Sequence, residues 1–264
     1  MSNSYSAWLA TAQAIITEAS PLLHRAWGQA HTVHNKGVRN IVTESDVAVE
    51  QLVLQRLREH FPDHAITSEE AGAQTSSAKV RWILDPLDGT TNFSRDMPLF
   101  CISLAAVVHD EPVVGIIHDP LRGHTFAALR GGGTTLNGQA LHTSGITHLH
   151  EAMFAVDWPR DETLRRTMHG LTGKILARGR TLRALGTAAL AMTYVATGWL
   201  DVYAALSLSA WDQAAAGLLV QEAGGCAATL SGAPWTIHAP DPLFTATPQL
   251  LTAFRRLQSE ENDA

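Results

Sequence analysis

The chain has 264 residues, a formal net charge of −6 and a pI near 6.1. This acidic balance argues against a nucleic-acid-binding surface, which would show a clustered basic face. At this length one large core or two modest ones can form, burying roughly 75% of the unfolded surface. The two cysteines, Cys101 and Cys226, lie in apolar sequence, which predicts buried reduced thiols.

Neither the first residues nor the longest apolar segment predicts a membrane protein. Residues 1–5 lack the basic start and apolar stretch of a secretory signal. The segment 188–206 is interrupted by Gly198 and carries Asp201, which favours a buried core element over a membrane span. We therefore expect a cytoplasmic protein with neither a membrane nor a nucleic acid as its partner.

Two amphipathic helices are predicted near the N-terminus. Apolar residues recur at helical spacing over 6–26 and again over 46–61. Thr43 stands three residues before Asp46, which is the spacing of a helix-start box. A capping role is therefore one interpretation of Asp46.

From residue 99 the apolar pattern changes to that of β-strands. Three runs separated by turn-forming residues predict consecutive antiparallel strands over 99–108, 112–118 and 124–129. Asn137-Gly138, between two short runs, predicts a tight hairpin. A change in character over 143–151 predicts a boundary between an N-terminal α+β domain, residues 1–145, and a C-terminal α/β domain, residues 146–264. In the second domain we expect a strand over 153–156 and helices over 161–170, 186–197 and 212–223.

One segment concentrates chemistry-bearing residues: Asp85-Pro86-Leu87-Asp88-Gly89-Thr90-Thr91 follows the apolar run Arg81-Trp82-Ile83-Leu84. Pro86 favours extended geometry at Asp85, so we expect the strand to end there and both acids to turn toward one point. Gly89 allows the backbone to approach a ligand closely. The alternative is an ordinary turn, because Pro, Asp and Gly are the commonest turn residues.

Three further segments favour the functional interpretation. They are Thr43-Glu44-Ser45-Asp46, Ser68-Glu69-Glu70-Ala71-Gly72, and the stretch from Ala210-Trp211-Asp212 to Gly224-Gly225. Together with the Asp85–Thr91 motif they resemble the inositol monophosphatase superfamily, the lithium-sensitive, magnesium-dependent sugar and nucleotide phosphatases. The resemblance extends from about Lys36 to Gly225. It implies a layered α/β/α/β/α sandwich of the inositol monophosphatase and fructose-1,6-bisphosphatase type, an active site between the halves, and a homodimer.

The candidate ligands in these segments are all oxygen atoms. Two unit charges about 4 Å apart repel by roughly 4 kcal/mol even at an effective dielectric near 20, so such a cluster needs cations. Oxygen ligands, without cysteine or a suitably spaced histidine set, favour a hard ion such as Mg²⁺ over Zn²⁺. We therefore expect two or three Mg²⁺ ions, with Mn²⁺ as a substitute.

The resemblance assigns roles to these residues. It implies a first ion held by Glu69, Asp85 and the carbonyl of Leu87, and a second held by Asp85, Asp88 and Asp212. It also implies that Thr90 and Asp46, with Glu69 nearby, orient the attacking water. Local alternatives exist, because Glu69 fits a solvated loop, Thr90 a helix cap and Asp212 an N-cap.

The substrate side is less clearly marked. The resemblance implies that the amides of Gly89 and Thr90 hold phosphate oxygens and that Gly186-Thr187-Ala188 begins a helix beside the substrate. Candidate anion anchors are Lys36, Arg160 and Arg183, although each residue also fits a solvated surface. In inositol-specific members a glutamate contacts the sugar hydroxyls at the position of Ala205. We therefore expect a largely apolar wall there, and inositol 1-phosphate not to be favoured.

The predicted function is a Mg²⁺-dependent phosphomonoesterase that hydrolyses a small sugar, polyol or nucleotide phosphate with metal-activated water. Fructose-1,6-bisphosphatase or a histidinol-phosphate-type phosphatase is the alternative within this class. A non-catalytic metal-binding regulator is the alternative from another class. The intact acids together with Thr90 favour an enzyme, because a regulator has no need of a water-orienting pair.

Overall fold

The computed structural model describes residues 2–29, 32–37, 40–73 and 78–260. Over these ranges the strands form a hairpin, an eight-stranded sheet and a five-stranded sheet. The hairpin pairs β1 (Val33–Gly37) with β2 (Asn40–Thr43). The larger sheet has the spatial order β10 (Gln139–Leu141), β9 (Gly133–Leu136), β8 (His124–Leu129), β7 (Glu111–Asp119), β6 (Cys101–Val108), β5 (Val80–Asp88), β3 (Ala65–Ser68) and β4 (Gly72–Ala73).

The second sheet is built from residues 153–245. Its spatial order is β12 (Thr181–Arg183), β11 (Met153–Val156), β13 (Val202–Ala204), β15 (Pro242–Thr245) and β14 (Cys226–Thr229). The β11 strand pairs in parallel with both β12 and β13. Their carboxyl ends therefore meet at one edge of the sheet, which is where ligands bind in sheets of this kind.

Helices alternate with the two sheets in five layers. Helices α1 (Ser2–Ala26) and α2 (Glu44–His60) cover one face of the larger sheet, and α5 (Ala188–Ala196) and α6 (Ala210–Glu222) lie between the sheets. Helices α4 (Glu162–Arg178) and α7 (Pro248–Ser259) cover the outer face of the smaller sheet. The short helix α3 (Thr90–Phe93) follows β5 directly. The α/β/α/β/α sandwich is thereby confirmed.

Strand β5 shows how the sequence produces these layers. Successive side chains on a strand point to opposite faces. Trp82 and Leu84 accordingly pack against α1 and α2, whereas Ile83 packs into the middle helical layer. Fully burying each large apolar side chain contributes about 1.5–3 kcal/mol. Because both faces are covered, β5 is apolar from Trp82 until the acids begin.

The middle layer packs closely on the larger sheet. A Cβ atom on Gly115, in β7, would lie 2.8 Å from the carbonyl oxygen of Ala215 in α6. Only glycine fits at this crossing, and the run Ala214-Ala215-Ala216 keeps the helix surface equally small. This contact fixes α6 against the sheet and therefore fixes the position of its first turn.

The predicted elements are largely confirmed. Both N-terminal helices, the three strands after residue 99, the Asn137-Gly138 hairpin and the strand 153–156 are present. The helix expected over 161–170 continues to Arg178. The domain boundary near 143–151 stays a prediction, which is supported because each of the two larger sheets takes its strands from one side of that segment.

Three expectations were wrong in detail. Strand β5 continues through Pro86 to Asp88, because a register shift between Asp85 and Asp88 places the proline at an irregularity where no ladder amide is needed. Helix α6 has Ser209 as its N-cap, so Asp212 occupies the third helical position. Cys226 is only partly buried, although both cysteines are free thiols.

No described helix combines the length and the apolar character that a membrane crossing requires. The apolar segment 188–206, which the sequence predicts to lie in the core, forms the buried elements α5 and β13.

Candidate active site

The loop after β5 turns back sharply over the end of its own strand. Gly89 adopts φ of 95°, and a Cβ atom there would lie 2.8 Å from the carbonyl oxygen of Leu99. Any other residue would meet both an unfavourable backbone conformation and this clash. The turn brings the Thr90 hydroxyl to 3.0 Å from the carbonyl oxygen of Leu87.

Three carboxylates meet beside this turn. Oxygen atoms of Asp85, Asp88 and Asp212 all lie within 4.8 Å of one another. Asp85 is 1% exposed and Asp88 is 9% exposed. The first two come from β5, and the third comes from the first turn of α6, across the boundary between the larger sheet and the middle helices. Glu69, from the turn between β3 and β4, lines the same cavity.

The three acids have raised pKa values. Burial raises the pKa of Asp85 well above its usual range, and the charges of Glu69 and Asp88 add to the effect. Burial raises the pKa of Asp88 to about 6, against hydrogen bonds from Thr187 and the Ala189 amide that lower it. Burial, followed by the charge of Asp88, raises the pKa of Asp212 to about 8. Desolvated like charges of this kind need compensating positive charge, so these oxygen donors fit hard divalent cations.

A fourth acid, Asp46, is held differently. Its Oδ2 accepts hydrogen bonds from the Thr43 amide at 2.8 Å and the Thr43 hydroxyl at 2.6 Å. Its Oδ1 lies 3.2 Å from the Thr90 hydroxyl. Asp46 is therefore both a member of the α2 capping box and the partner of Thr90, and the two interpretations hold together. Burial raises its pKa, whereas the Thr43 hydrogen bonds lower it.

Asp88 also connects the two halves of the chain. Its Oδ2 accepts hydrogen bonds from the Thr187 hydroxyl and, at 2.8 Å, from the Ala189 amide at the start of α5. Asn92 reinforces this contact, because its amide nitrogen donates to the Leu185 carbonyl at 2.8 Å. Thr187 is 1% exposed, so it supports Asp88 from behind and does not reach the cavity surface as the sequence suggested.

Two adjoining cavities open at this point. The smaller, of about 130 Å³, is lined by Ile41, Glu69, Asp85, Leu87, Asp88, Gly89, Thr90, Thr91, Arg160, Gly186 and Asp212. The larger, of about 500 Å³, shares Glu69, Asp88, Thr91, Arg160, Gly186 and Asp212 with it. It extends along Asn92, Asp157, Trp158, Pro159, Arg165, Ala184, Ala188, Leu206, Ser207, Leu208, Ser209 and Trp211.

Most of the residues predicted for the site lie together here, but two do not. Ala205 is fully buried, so its methyl group cannot form a wall of the cavity. Arg183 is exposed on the edge strand β12, where its guanidinium donates to the Leu182 carbonyl. The side chain of Lys36 lies outside the described residues. Arg160 does line both cavities, and its charge lowers the pKa of Asp212.

Sequence reasoning missed two side chains of the larger cavity. Asp157 and Trp158 follow the strand predicted over 153–156, at the end where ligand-binding residues are expected. The Asp-Trp-Pro-Arg run after that strand was the available signal. Asp157 adds a partly exposed carboxylate to a cavity that Leu206 and Leu208 also line.

Comparison with known proteins identifies the family. A model of the inositol monophosphatase family matches residues 4–262. The chain belongs to the inositol monophosphatase family. Inositol monophosphatase 2 of Solanum lycopersicum is 34% identical over 230 residues, which are 84% of this chain and 87% of that protein. Nus factor SuhB of Escherichia coli strain K12 is 36% identical over 199 residues, which are 75% of this chain and 74% of that protein.

Solved structures of inositol monophosphatase family proteins share the fold. The extragenic suppressor protein suhB from Bartonella henselae superposes with a TM-score of 0.91 at 27% identity, over 96% of this chain and 99% of that one. The IMPase from Thermotoga maritima superposes with a TM-score of 0.85 at 29% identity, over 92% and 93% of the two chains. The layered α+β fold of this chain is therefore that of the inositol monophosphatase family.

Proposed function

We propose that this protein is a Mg²⁺-dependent phosphomonoesterase that hydrolyses a small sugar, polyol or nucleotide phosphate. The observation that carries the proposal is a cavity in which Asp85, Asp88 and Asp212 converge within 4.8 Å beside the hydrogen-bonded pair of Thr90 and Asp46. The first group supplies negative oxygen donors for cations. The second can direct a water molecule.

The acids divide into two overlapping ligand sets. Glu69, Asp85 and the Leu87 carbonyl would hold one ion, and Asp85, Asp88 and Asp212 would hold another. Bound there, Mg²⁺ supplies charge that stabilises the transferring phosphoryl group and lowers the pKa of water. The raised pKa values of the buried acids support this assignment, because a cation relieves their mutual repulsion.

The Thr90 hydroxyl has one proton, for which two acceptors compete. They are Asp46 at 3.2 Å and the Leu87 carbonyl at 3.0 Å. Donation to Asp46 leaves the Leu87 carbonyl free as a ligand and leaves the lone pairs of Thr90 for an attacking water. Asp46 is itself fixed by Thr43, so the direction of the water is set by the start of α2.

The phosphate is held by backbone groups and charge. The amides of Gly89 and Thr90, at the start of α3, would donate to phosphate oxygens. One positioned base contributes about 10² to 10⁴ in rate, whereas hydrolysis of phosphate monoesters requires acceleration of up to about 10²¹. Electrostatic stabilisation of the phosphoryl group must therefore dominate, which fits a site built mainly from charges and amides.

The substrate class is narrowed by two side chains, Ala205 and Arg160. Ala205 stands where a glutamate contacts the hydroxyls in inositol-specific members, so we propose that inositol 1-phosphate is not the favoured substrate. Arg160 lines both cavities and is suited to a second anionic group, which keeps fructose 1,6-bisphosphate as an alternative. Inhibition by lithium and a homodimeric state are further proposals, supported by membership of the family.

Phosphate release from a panel of phosphomonoesters, with Mg²⁺ or with excess chelator, tests the proposal. We expect hydrolysis that depends on Mg²⁺ and returns when the ion is restored. Activity that survives exhaustive chelation would show that the acids are not a catalytic metal site.

A second candidate is a regulator that binds metal without turnover. It is supported by the relatives named Nus factor SuhB. The Thr90–Asp46 hydrogen bond favours the enzyme, because metal binding alone needs no such pair. Mg²⁺ binding by calorimetry with no phosphate release from any of the panel would favour the regulator.

A further inference from the structure

The larger cavity has a charged and aromatic corner outside the acid cluster. It is formed by Asp157 and Trp158, which follow β11 directly. Asp157 is partly exposed, and Trp158 is 40% exposed. Neither residue belongs to the ligand sets or to the Thr90–Asp46 pair.

The register of the smaller sheet relates this corner to Ala205. Strands β11 and β13 are parallel, and Val156 lies opposite Ala204. Asp157 and Ala205 are the next residues of the two strands, so they lie side by side at the carboxyl edge. Their alternation also places both on the face of the sheet toward α5 and α6, because Ala155 and Tyr203 lie in that core. The register therefore places a carboxylate, that of Asp157, beside Ala205 on the neighbouring strand.

Asp157 is fixed but not saturated with hydrogen bonds. Its Oδ2 accepts from the Tyr203 hydroxyl at 2.8 Å, and the Gly186 amide also donates to it. Tyr203 is fully buried, so this contact anchors the carboxylate from the protein side. An ionised carboxylate has about four lone-pair sites, so about two stay open toward the cavity.

Trp158 is held by its neighbours in turn. The guanidinium carbon of Arg165 lies 5.7 Å from the centre of the indole ring, and Arg165 donates to the Pro159 carbonyl at 3.1 Å. A tryptophan fixed in this way keeps apolar surface exposed at little further cost in side-chain entropy. An aromatic surface beside an acceptor suits a ring with C–H groups on its face and hydroxyl groups on its rim.

We propose that Asp157 and Trp158 form the leaving-group subsite of this enzyme, with Asp157 accepting hydrogen bonds from ring hydroxyls and Trp158 packing against the ring face. The inference rests on the proposed phosphomonoesterase function and identifies two side chains of this chain that would select the leaving group.

Two substrates that differ only in hydroxyl groups test the subsite. Inositol 1-phosphate and cyclohexyl phosphate share the six-membered ring and the phosphate ester. The first serves as a probe of hydroxyl recognition, whether or not it is the preferred substrate. We expect wild-type kcat/KM to favour it by about 10²-fold, since a site built to bond hydroxyls discriminates more strongly than an apolar wall.

Asp157→Ala should lower kcat/KM for inositol 1-phosphate by about tenfold or more and leave cyclohexyl phosphate within about threefold. Asp157→Ala leaves the buried Tyr203 hydroxyl without its hydrogen-bond acceptor. The double variant Asp157→Ala/Tyr203→Phe is therefore measured beside it, and Tyr203→Phe alone is the matched control. Tyr203→Phe keeps the carboxylate and should retain the preference. Trp158→Ala should weaken both substrates alike, because both present the same ring face.

These measurements distinguish failure of the subsite from failure of the proposed phosphomonoesterase function. Loss of the preference in Asp157→Ala and in the double variant, with cyclohexyl phosphate unaffected, supports the subsite. Equal losses on both substrates would overturn it, because Asp157 would then only brace the Gly186 loop. If wild-type protein with Mg²⁺ hydrolyses neither these probes nor any other phosphomonoester, the proposed function fails first.

Discussion

Helices α2 and α6 begin with the same local structure, but the aspartate in each first turn has different neighbours. Each has a hydroxyl residue as N-cap and an aspartate three positions later, in a reciprocal capping box. Asp46 uses both carboxylate oxygens for donors on Thr43 and Thr90. Asp212 accepts the Ser209 amide at 2.6 Å and otherwise faces the acids Asp85 and Asp88. The capping box places each aspartate, but its tertiary neighbours differ, because Asp46 meets the Thr90 hydroxyl whereas Asp212 meets two further carboxylates.

The largest expected effect separates these two roles at Asp212. Asp212→Asn keeps the acceptor that caps α6 but removes the negative charge. We expect kcat to fall by about 10³-fold, because a bound metal ion stabilises the transition state by several kcal/mol. Steady-state kinetics at saturating Mg²⁺ measures it. The exposed Asp63→Asn on the α2–β3 turn is the matched control and should be unaffected. Near-normal kcat in Asp212→Asn would remove Asp212 from the ligand set.

The corresponding test on the Asp46 side is Thr90→Ala. Losing the hydroxyl that directs the water should lower kcat by about 10²-fold and change KM by less than about threefold. The exposed Thr252→Ala on α7 is the control. If KM alone rose, Thr90 would bind substrate, and the orientation of the water by Asp46 would be wrong.

Stability without metal should move in opposite directions at the two helix starts. Asp46→Ala leaves the buried amide and hydroxyl of Thr43 without their hydrogen-bond acceptor, which should lower the free energy of unfolding by about 1–3 kcal/mol. Asp212→Asn removes a charge that repels those of Asp85 and Asp88, so it should stabilise the chelated protein at pH 8. Urea unfolding in excess chelator measures both. A loss of stability in both variants would mean that the acids do not repel in the folded state.

The pH dependence of stability follows from the raised pKa values. Unfolded aspartate titrates near 3.8, whereas in the fold Asp88 titrates at about 6 and Asp212 at about 8. The folded state therefore binds more protons over this range, and stability without metal should fall as pH rises from 5 to 8.5. Added Mg²⁺ should accordingly raise Tm more at pH 8 than at pH 5. Thermal unfolding with and without chelator would contradict this if the Mg²⁺ effect were larger at pH 5.

Local pattern was enough to predict the elements and the acids, but not their relations across the chain. The apolar runs after residue 99 and the turn at Asn137-Gly138 specify strands by themselves. At α6 both Ser209 and Asp212 are good cap residues, so sequence could not decide between them. Ala205 and Asp157 become neighbours only through the β11–β13 register, which joins residues 48 positions apart and depends on the whole sheet.

We propose that Asp85, Asp88 and Asp212 form a cation site in which Mg²⁺ relieves the repulsion between the carboxylates. Titration calorimetry of the chelator-treated protein with Mg²⁺, in buffers of different ionisation enthalpy, tests it most directly. Because Asp212 titrates at about 8, binding at pH 7 should release roughly one proton or more, and the release should disappear above pH 9.5. Absence of Mg²⁺ binding, or binding at pH 7 without proton release, would show that these acids do not form such a site.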